Sequence, residues 1–221
     1  MIPRLALGCL ALVGAAGCAV TNTPYQPAPI VSAPAPSVAS APYAQAARAP
    51  LHAELMACNS GGGANIGEIG ERGEVLLYTP YIFTAVGALL RNPTESACLS
   101  SGFGWRDRAD GGGRQHNGID LASPSGGHIY AAGDGWVRFA DWRGNFGLVL
   151  EIDHGNGVLT RYAHLSEIDP NLRPGAFVTA GTPVALMGAT GNATGVHLHY
   201  ELMVDGFLVD PLSYGTKAGI G

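Results

Sequence analysis

The chain has 221 residues, a formal net charge of −5 at pH 7 and a sequence pI near 5.7. An acidic chain without a basic stripe lacks the electrostatic footprint of a nucleic-acid-binding protein, so no nucleic-acid partner is predicted. The length leaves room for one domain of ordinary size beside segments that do not build a core.

The first predicted element is an export segment. Arg4 precedes an apolar run over residues 5–16, and small residues lead to Cys18. This pattern is typical of a secretory signal, and the run is shorter than the roughly 20 residues that span a bilayer. The cysteine resembles that of a bacterial lipobox, so residues 1–18 are predicted to be a lipoprotein-type signal peptide with lipidation at Cys18. Ordinary secretory cleavage near Cys18, without lipid, is the alternative.

Residues 19–50 form the second predicted element, which is rich in Pro, Ala and Ser and carries one charge, Arg48. Such a segment cannot bury enough apolar surface to offset its ordering entropy, so a disordered tether is predicted. A tether fits a domain that is held to a membrane through Cys18 and must reach a separate polymer. We therefore expect the cell envelope, in the periplasm, as the location. Ala19 lacks the aspartate that often marks inner-membrane retention, which favours the outer membrane.

Residues 51–97 are predicted to form an extension that packs on the following domain. After processing, Cys58 and Cys98 remain, and an oxidising compartment favours a disulfide between them. A pair of zinc ligands is the alternative, but the two cysteines do not have CxxC spacing. The disulfide would attach the extension to the edge of the domain that begins at residue 98.

Residues 98–214 are predicted to form one all-β domain, followed by a tail over residues 215–221. Short apolar or alternating runs are separated by glycine-rich turns, and a long helical period is missing from the pattern. The candidate strands are residues 128–132, 136–141, 148–153, 158–164, 183–187 and 197–204.

Three short strings in this domain carry metal-site chemistry: HNGID, YAHLS and GVHLHYE. Two histidines and one carboxylate are what a catalytic zinc site requires, with a fourth position left for water. Two further histidines remain for general acid and base work around that water. The strings contribute five candidate residues: His116, Asp120, His164, His197 and His199.

Strand alternation predicts how these side chains are presented. In the strand 197–204, His197, His199 and Glu201 share one face, while the opposite face is apolar and should meet the core. In the strand 158–164, the same alternation puts His164 on the face of Tyr162, at the rim of the sheet.

These strings, in this order, resemble the M23 family of zinc peptidoglycan endopeptidases, also called the lysostaphin or LytM type. The resemblance includes the segments SGFGWR, AAGDGWV and GATGNATG and covers roughly residues 100–214. It implies the antiparallel β-sheet or sandwich fold of these peptidases.

The resemblance also implies a site and a reaction. His116, Asp120 and His199 would bind one Zn²⁺ per chain, and His164 and His197 would be catalytic. Glu201 is a candidate partner that orients a metal ligand; a surface carboxylate is the alternative. The implied reaction is hydrolysis of peptide cross-links in peptidoglycan, as a DD-endopeptidase acting on the bond between D-alanine and diaminopimelate.

A competing interpretation is a non-catalytic LytM-type protein that activates a cell-wall amidase. That interpretation predicts substitutions at the ligand positions, whereas all five positions match here. In relatives, segments before the catalytic domain can cover the groove, so residues 51–97 are a candidate latency segment. A regulatory protein partner is left open.

Overall fold

A computed structural model of the chain describes residues 48–58, 64–107 and 113–216. The predicted signal peptide with Cys18, the linker up to residue 47 and residues 217–221 of the tail lie outside these ranges. The described residues contain no helix that is long and apolar enough to cross a membrane.

The described part of the chain is built almost entirely from short strands, which confirms the all-β prediction. The strands are β1 (Tyr81–Thr84), β2 (Gly87–Leu90), β3 (Cys98–Ser101), β4 (Gly104–Asp107), β5 (Gly113–His116), β6 (Ile119–Ala122), β7 (His128–Tyr130), β8 (Gly135–Trp142), β9 (Leu148–Gly155), β10 (Val158–Leu165), β11 (Glu167–Ile168), β12 (Phe177–Val178), β13 (Pro183–Leu186), β14 (His197–Val204) and β15 (Phe207–Val209). One 3₁₀ turn, Gly144–Phe146, joins β8 to β9.

An eight-stranded antiparallel sheet organises the fold, in the order β12-β8-β9-β10-β14-β6-β3, with β15 also paired to β14. A three-stranded sheet, β11-β13-β7, and the hairpins β1-β2 and β4-β5 complete it. The six candidate strands of the sequence analysis correspond to β7, β8, β9, β10, β13 and β14, with ends that differ by at most two residues. The other strands are two to four residues long, too short to show a period of their own.

The core lies on one face of the large sheet and is apolar because the long strands alternate. Leu198, Tyr200 and Leu202 of β14 are fully buried in it. Tyr162 of β10 packs beside Tyr200, with ring centroids 5.5 Å apart. The side chains between these positions lie on the opposite face of the sheet, where the candidate site is found.

The segment before β3 contributes to the same core. Leu55, Ile82 and Leu89 are at most 2% exposed and belong to the main hydrophobic cluster. Arg91 is fully buried and donates hydrogen bonds to the carbonyl oxygens of Thr79 and Leu212, among others, which joins this segment to the end of the described chain. The segment is therefore part of the folded unit.

The predicted disulfide is present between Cys58 and Cys98, with a Cα–Cα distance of 5.0 Å. Beside it, the backbone N–H of Cys58 donates to the carbonyl oxygen of Leu99 in β3. The bond thus attaches the extension to the edge strand of the large sheet.

Candidate metal centre and active site

Two paired strands of the large sheet and one strand of the β4-β5 hairpin bring the candidate ligands together. His116 is the last residue of β5, Asp120 lies in β6, and His199 lies in β14 directly opposite Asp120 in the strand register. Gly118 between the first two ligands allows a close approach, because a Cβ there would lie 2.3 Å from the carbonyl oxygen of Tyr200. A larger residue would push the loop that carries His116 and Asp120 away from β14.

The three ligand atoms form a compact triangle. His116 Nε2 lies 3.1 Å from Asp120 Oδ1 and 3.0 Å from His199 Nδ1, and the last two atoms are 2.9 Å apart. Among the described residues, this is the group of histidine and carboxylate side chains that could hold a metal ion.

The outer nitrogen of each ligand histidine has a partner that can only accept a hydrogen bond. His116 Nδ1 lies 2.6 Å from the carbonyl oxygen of Gly102, and His199 Nε2 lies 3.0 Å from Glu201 Oε1. Both outer nitrogens therefore carry the proton, and a neutral ring has only one. When both rings are neutral, as metal binding requires, two nitrogen lone pairs and a carboxylate oxygen therefore converge, and this arrangement fits a cation.

The electrostatics of the triangle also favour positive charge. Burial alone would disfavour a charged His199, but hydrogen bonds with Asp120 and Glu201 outweigh burial and raise the pKa of His199 to about 9. Burial would raise the pKa of Asp120, but its hydrogen bonds with His116 and His199 hold it well below the usual range. The second oxygen of Asp120 accepts a hydrogen bond from Arg106 Nη2 at 3.0 Å.

His164 reaches the site through a bulge, which corrects the prediction from alternation. The register between β9 and β10 shifts between Tyr162 and Leu165, and His164 has a left-handed backbone with φ of 62°. Regular alternation would have turned His164 toward the core beside Tyr162. The bulge instead places its ring 4.8 Å from that of His197.

The two remaining histidines of the motifs line the cleft beside the triangle. His164 Nδ1 donates to the carbonyl oxygen of Thr190 at 2.8 Å, and His197 Nδ1 donates to that of Gly195 at 2.9 Å. His197 Nε2 lies 3.8 Å from Asp120 Oδ1. In each neutral ring Nε2 is then unprotonated, and burial lowers the pKa of His164 despite the opposing hydrogen bond to Thr190. Both rings can therefore accept a proton.

The cleft itself is an open groove of about 400 Å³. Its walls are the β4-β5 hairpin with Arg106 and Arg114, the 3₁₀ turn with Phe146, and the loop around Asn192. The described residues that line it all lie between Arg106 and Glu201, so no described residue of the segment 51–97 covers it.

The structure also shows the surroundings of Glu201 and of a histidine outside the motifs. Glu201 is fully buried, so the alternative of a surface carboxylate is wrong. His154, which belongs to none of the three motif strings, does not line the cleft and contacts Asp134 and Thr160 through hydrogen bonds of 2.7 and 2.8 Å.

Two charged residues beneath the site, Arg161 and Glu151, were not among the predicted site residues. Arg161 Nη1 donates to Glu201 Oε2, and Arg161 Nε donates to Glu151 Oε1. The sequence does mark these two residues, because Arg161 and Glu151 are the charged residues in the mainly apolar strand runs LTRYA and LVLEI. The carbonyl partners at Gly102, Thr190 and Gly195 had no such signal, since every residue has a carbonyl group.

An antiparallel β domain with an open His-Asp-His group and two further histidines has the arrangement that is typical of metal-dependent hydrolases. Comparison with known families agrees with this class, because residues 114–211 match the family described as Peptidase family M23. The match covers 98 of the 221 residues, so this segment is similar to the M23 peptidases.

Three relatives illustrate the similarity. The peptidoglycan DD-endopeptidase ShyA of Vibrio cholerae is 46% identical over 94 residues, which are 41% of this chain and 21% of ShyA. ShyB of the same organism is 39% identical over 57% of this chain and 30% of its own length. The DD-carboxypeptidase/endopeptidase Mpg of Neisseria meningitidis is 41% identical over 45% of this chain and 23% of Mpg. The chain thus spans less than a third of each relative.

A solved structure is similar in fold. The crystal structure of a zinc-containing peptidase from Vibrio cholerae superposes with a TM-score of 0.54 and 32% sequence identity. The match covers 64% of this chain and 47% of that one.

Proposed function

We propose that this chain is a zinc metalloendopeptidase that hydrolyses peptide cross-links of peptidoglycan. The observation that carries the proposal is the convergence of His116 Nε2, Asp120 Oδ1 and His199 Nδ1 beside an open cleft. His164 and His197, whose Nε2 atoms are unprotonated in the neutral rings, line the same cleft. The relatives named as DD-endopeptidases and the zinc-containing peptidase support both the reaction and the metal.

Zinc suits the donor set, since two imidazoles and one carboxylate with an open fourth position are typical of catalytic zinc. His116, Asp120 and His199 would hold the ion. A zinc ion bound there supplies Lewis-acid chemistry, by polarising a carbonyl group and making a water molecule more acidic.

His164 and His197 would move the protons of the reaction. Each ring is fixed by a hydrogen bond from Nδ1 to a backbone carbonyl, so Nε2 is the atom that accepts a proton. The lowered pKa of His164 keeps that ring neutral near pH 7, as a general base requires. A proton taken up by this pair is later available to the leaving amine, and the protonated Nε2–H can stabilise developing negative charge on the carbonyl oxygen.

The substrate is proposed to be the cross-link between D-alanine and diaminopimelate, in line with the names of the relatives. We further propose that Cys18 is lipidated and that residues 19–50 tether the domain in the periplasm, anchored to the outer membrane. The non-catalytic alternative is not favoured, because the residues that such proteins lack are all present here.

The test is digestion of purified diaminopimelate-type peptidoglycan by the zinc-loaded chain from Ala19 onward, with products identified by mass. A His199→Ala variant is the control, since it removes one ligand. Conversion of cross-linked dimers to monomers by the wild type alone supports the proposal. Intact dimers in the presence of the zinc-loaded wild type contradict it, and cleavage at another bond contradicts the DD-specificity.

A further inference from the structure

A chain of alternating charges runs from the candidate metal centre into the sheet. Glu201 Oε1 accepts from His199 Nε2 at 3.0 Å, and Glu201 Oε2 accepts from Arg161 Nη1 at 2.5 Å. Arg161 Nε donates to Glu151 Oε1 at 2.6 Å, and Arg143 Nη1 donates to the same oxygen at 2.5 Å. We call these four residues, Glu201, Arg161, Glu151 and Arg143, the ion-pair row.

The register of the large sheet places the members of the ion-pair row next to one another. Arg161 of β10 lies directly opposite Glu201 of β14 on one side and Glu151 of β9 on the other. All three side chains leave the sheet on the face opposite the apolar core. Arg143 follows β8 and reaches the outer end of the row, so the order of the strands produces the order of the charges.

The two carboxylates of the ion-pair row are the most buried members, and Arg143 at its outer end is the most exposed. The side chains of Glu201 and Glu151 are 0% and 4% exposed, that of Arg161 is 15% exposed and that of Arg143 is 37% exposed. Removing carboxylates from water costs several kcal/mol for each ion, and buried ion pairs are often no more stable than apolar residues of the same volume. Stability alone therefore does not account for a buried row of charges that ends on a ligand histidine.

Glu201, at the inner end of the ion-pair row, determines which nitrogen of His199 can bind a metal. Because Glu201 Oε1 accepts from Nε2, the neutral ring keeps its proton on Nε2, and the lone pair that faces the triangle is that of Nδ1. The second oxygen of the Glu201 carboxylate is held by Arg161.

Two arginines of the ion-pair row, Arg143 and Arg161, contact Phe146 in the wall of the cleft. Arg143 accepts a backbone hydrogen bond from Phe146 N, which closes the 3₁₀ turn. The Phe146 ring lies 5.7 Å from the His199 ring, and the Arg161 guanidinium lies 5.2 Å from the Phe146 ring centroid. One arginine thus contacts both the partner of a ligand and the side chain that packs over that ligand.

We propose that Arg161 is a positioning residue for the metal centre, which holds Glu201 as the acceptor for His199 and thereby presents His199 Nδ1 to the ion. This inference rests on the proposed function only in requiring that the triangle binds zinc. Partners that orient ligand histidines typically change metal affinity about 10- to 100-fold when removed.

The test compares zinc affinity of the full chain in detergent with that of Arg161→Met, by competition with a chromophoric chelator. Methionine keeps much of the volume and removes the charge and the donors. We expect a loss of affinity of about 10- to 100-fold and a changed absorption spectrum of the Co²⁺-loaded protein. Arg161→Lys keeps the charge but cannot bridge two carboxylates, so its affinity should lie between the two.

Arg138→Met is the matched control. Arg138 lies in the same sheet, is 22% exposed and pairs with Asp153 at 3.8 Å. This variant should retain wild-type zinc affinity and the wild-type Co²⁺ spectrum. Melting curves of all variants, followed by circular dichroism, identify any that do not fold; if Arg161→Met is among them, Arg161→Lys carries the comparison.

Wild-type affinity and a wild-type spectrum in the folded Arg161 variants would overturn the inference. An equal loss in Arg138→Met would also overturn it, since the effect would then be a general one on the sheet. Metal binding is measured without peptidoglycan, so a wild type that binds zinc but cleaves no cross-link contradicts the proposed reaction and leaves this test intact. A wild type that fails to bind zinc contradicts both.

Discussion

His199 and Asp120 lie directly opposite each other on adjacent antiparallel strands, and His199 Nδ1 is 2.9 Å from Asp120 Oδ1. A cross-strand pair is held by the backbone ladder on both sides, so the two ligand atoms need little ordering when a cation binds. Only His116 comes from outside this pair, at the end of a hairpin strand.

Metal binding should release a proton. The pKa of His199 is about 9, above its usual value of 6.5, so at pH 7.5 the ring is charged before the metal binds. Because the ion requires the lone pair of Nδ1, about one proton per ion should leave, and affinity should increase as pH rises toward 9. Calorimetry at pH 7.5 in two buffers with different ionisation enthalpies measures this number, and identical heats in both buffers would contradict the prediction.

His164 and His197 should be separable from the ligands by metal content. His164→Ala and His197→Ala remove proton-transfer groups and leave the triangle complete, so both variants should retain one zinc ion. General acid and base groups contribute about 10²- to 10⁴-fold, so kcat should fall by that range. Metal analysis and turnover are measured on the same samples, with His199→Ala as the variant that loses both. Loss of zinc from the His164 variant would make that residue a ligand instead.

Arg114 should contribute to substrate binding. It is exposed, lines the cleft and has no ion-pair partner within residues 48–58, 64–107 and 113–216. Arg106, its cross-strand neighbour, is occupied by Asp120. Arg114→Ala should therefore raise KM for an anionic wall peptide by about 1.5- to 5-fold with little change in kcat, the size expected for one exposed ion pair.

The control for Arg114 is Arg173→Ala, an exposed arginine that is not part of the cleft lining. Its KM should equal that of the wild type. Peptides in which the substrate carboxylates are amidated should lose the difference between wild type and Arg114→Ala. A difference that persists with the amidated peptide would show that Arg114 does not contact a carboxylate.

Deletion of residues up to Glu95 should unfold the domain. Leu55, Ile82 and Leu89 belong to the main core, and losing even one such side chain costs about 2–5 kcal/mol. A typical domain has only about 5–15 kcal/mol of stability in total. A chain that begins at Arg48 keeps all described core residues and should melt like the longer chain. Higher activity in a folded chain from Ser96 would instead support the latency hypothesis for the extension.

Loss of the disulfide should destabilise the fold without changing the site. Cys58 and Cys98 are 40 residues apart in sequence, and closing a loop of that length is worth on the order of 4 kcal/mol. A Cys58→Ser, Cys98→Ser double variant should unfold at a lower denaturant concentration and bind zinc with wild-type affinity at low temperature. A large loss of zinc affinity in the folded variant would contradict this prediction.

The candidate site was predictable where residue type and strand period carry the information. Five metal-site residues could be selected because few side chains bind zinc or transfer protons near pH 7, and because the strings that contain them resemble the M23 motifs. Alternation in β14 correctly placed His197, His199 and Glu201 on one face and Leu198, Tyr200 and Leu202 in the core. The same period failed at His164, since a bulge depends on how two strands pair and leaves no mark in the alternation of one of them.

The sequence by itself determined the fold class, the six main strands and the set of chemical groups available to the site. Only the tertiary structure decided which nitrogen of each histidine enters the triangle, that Arg161 stands between two buried carboxylates, and that the extension shares the core. These features depend on contacts between strands that are distant in the chain. The physical reason is that a strand's own sequence specifies which faces are apolar, whereas its neighbours specify what each polar side chain meets.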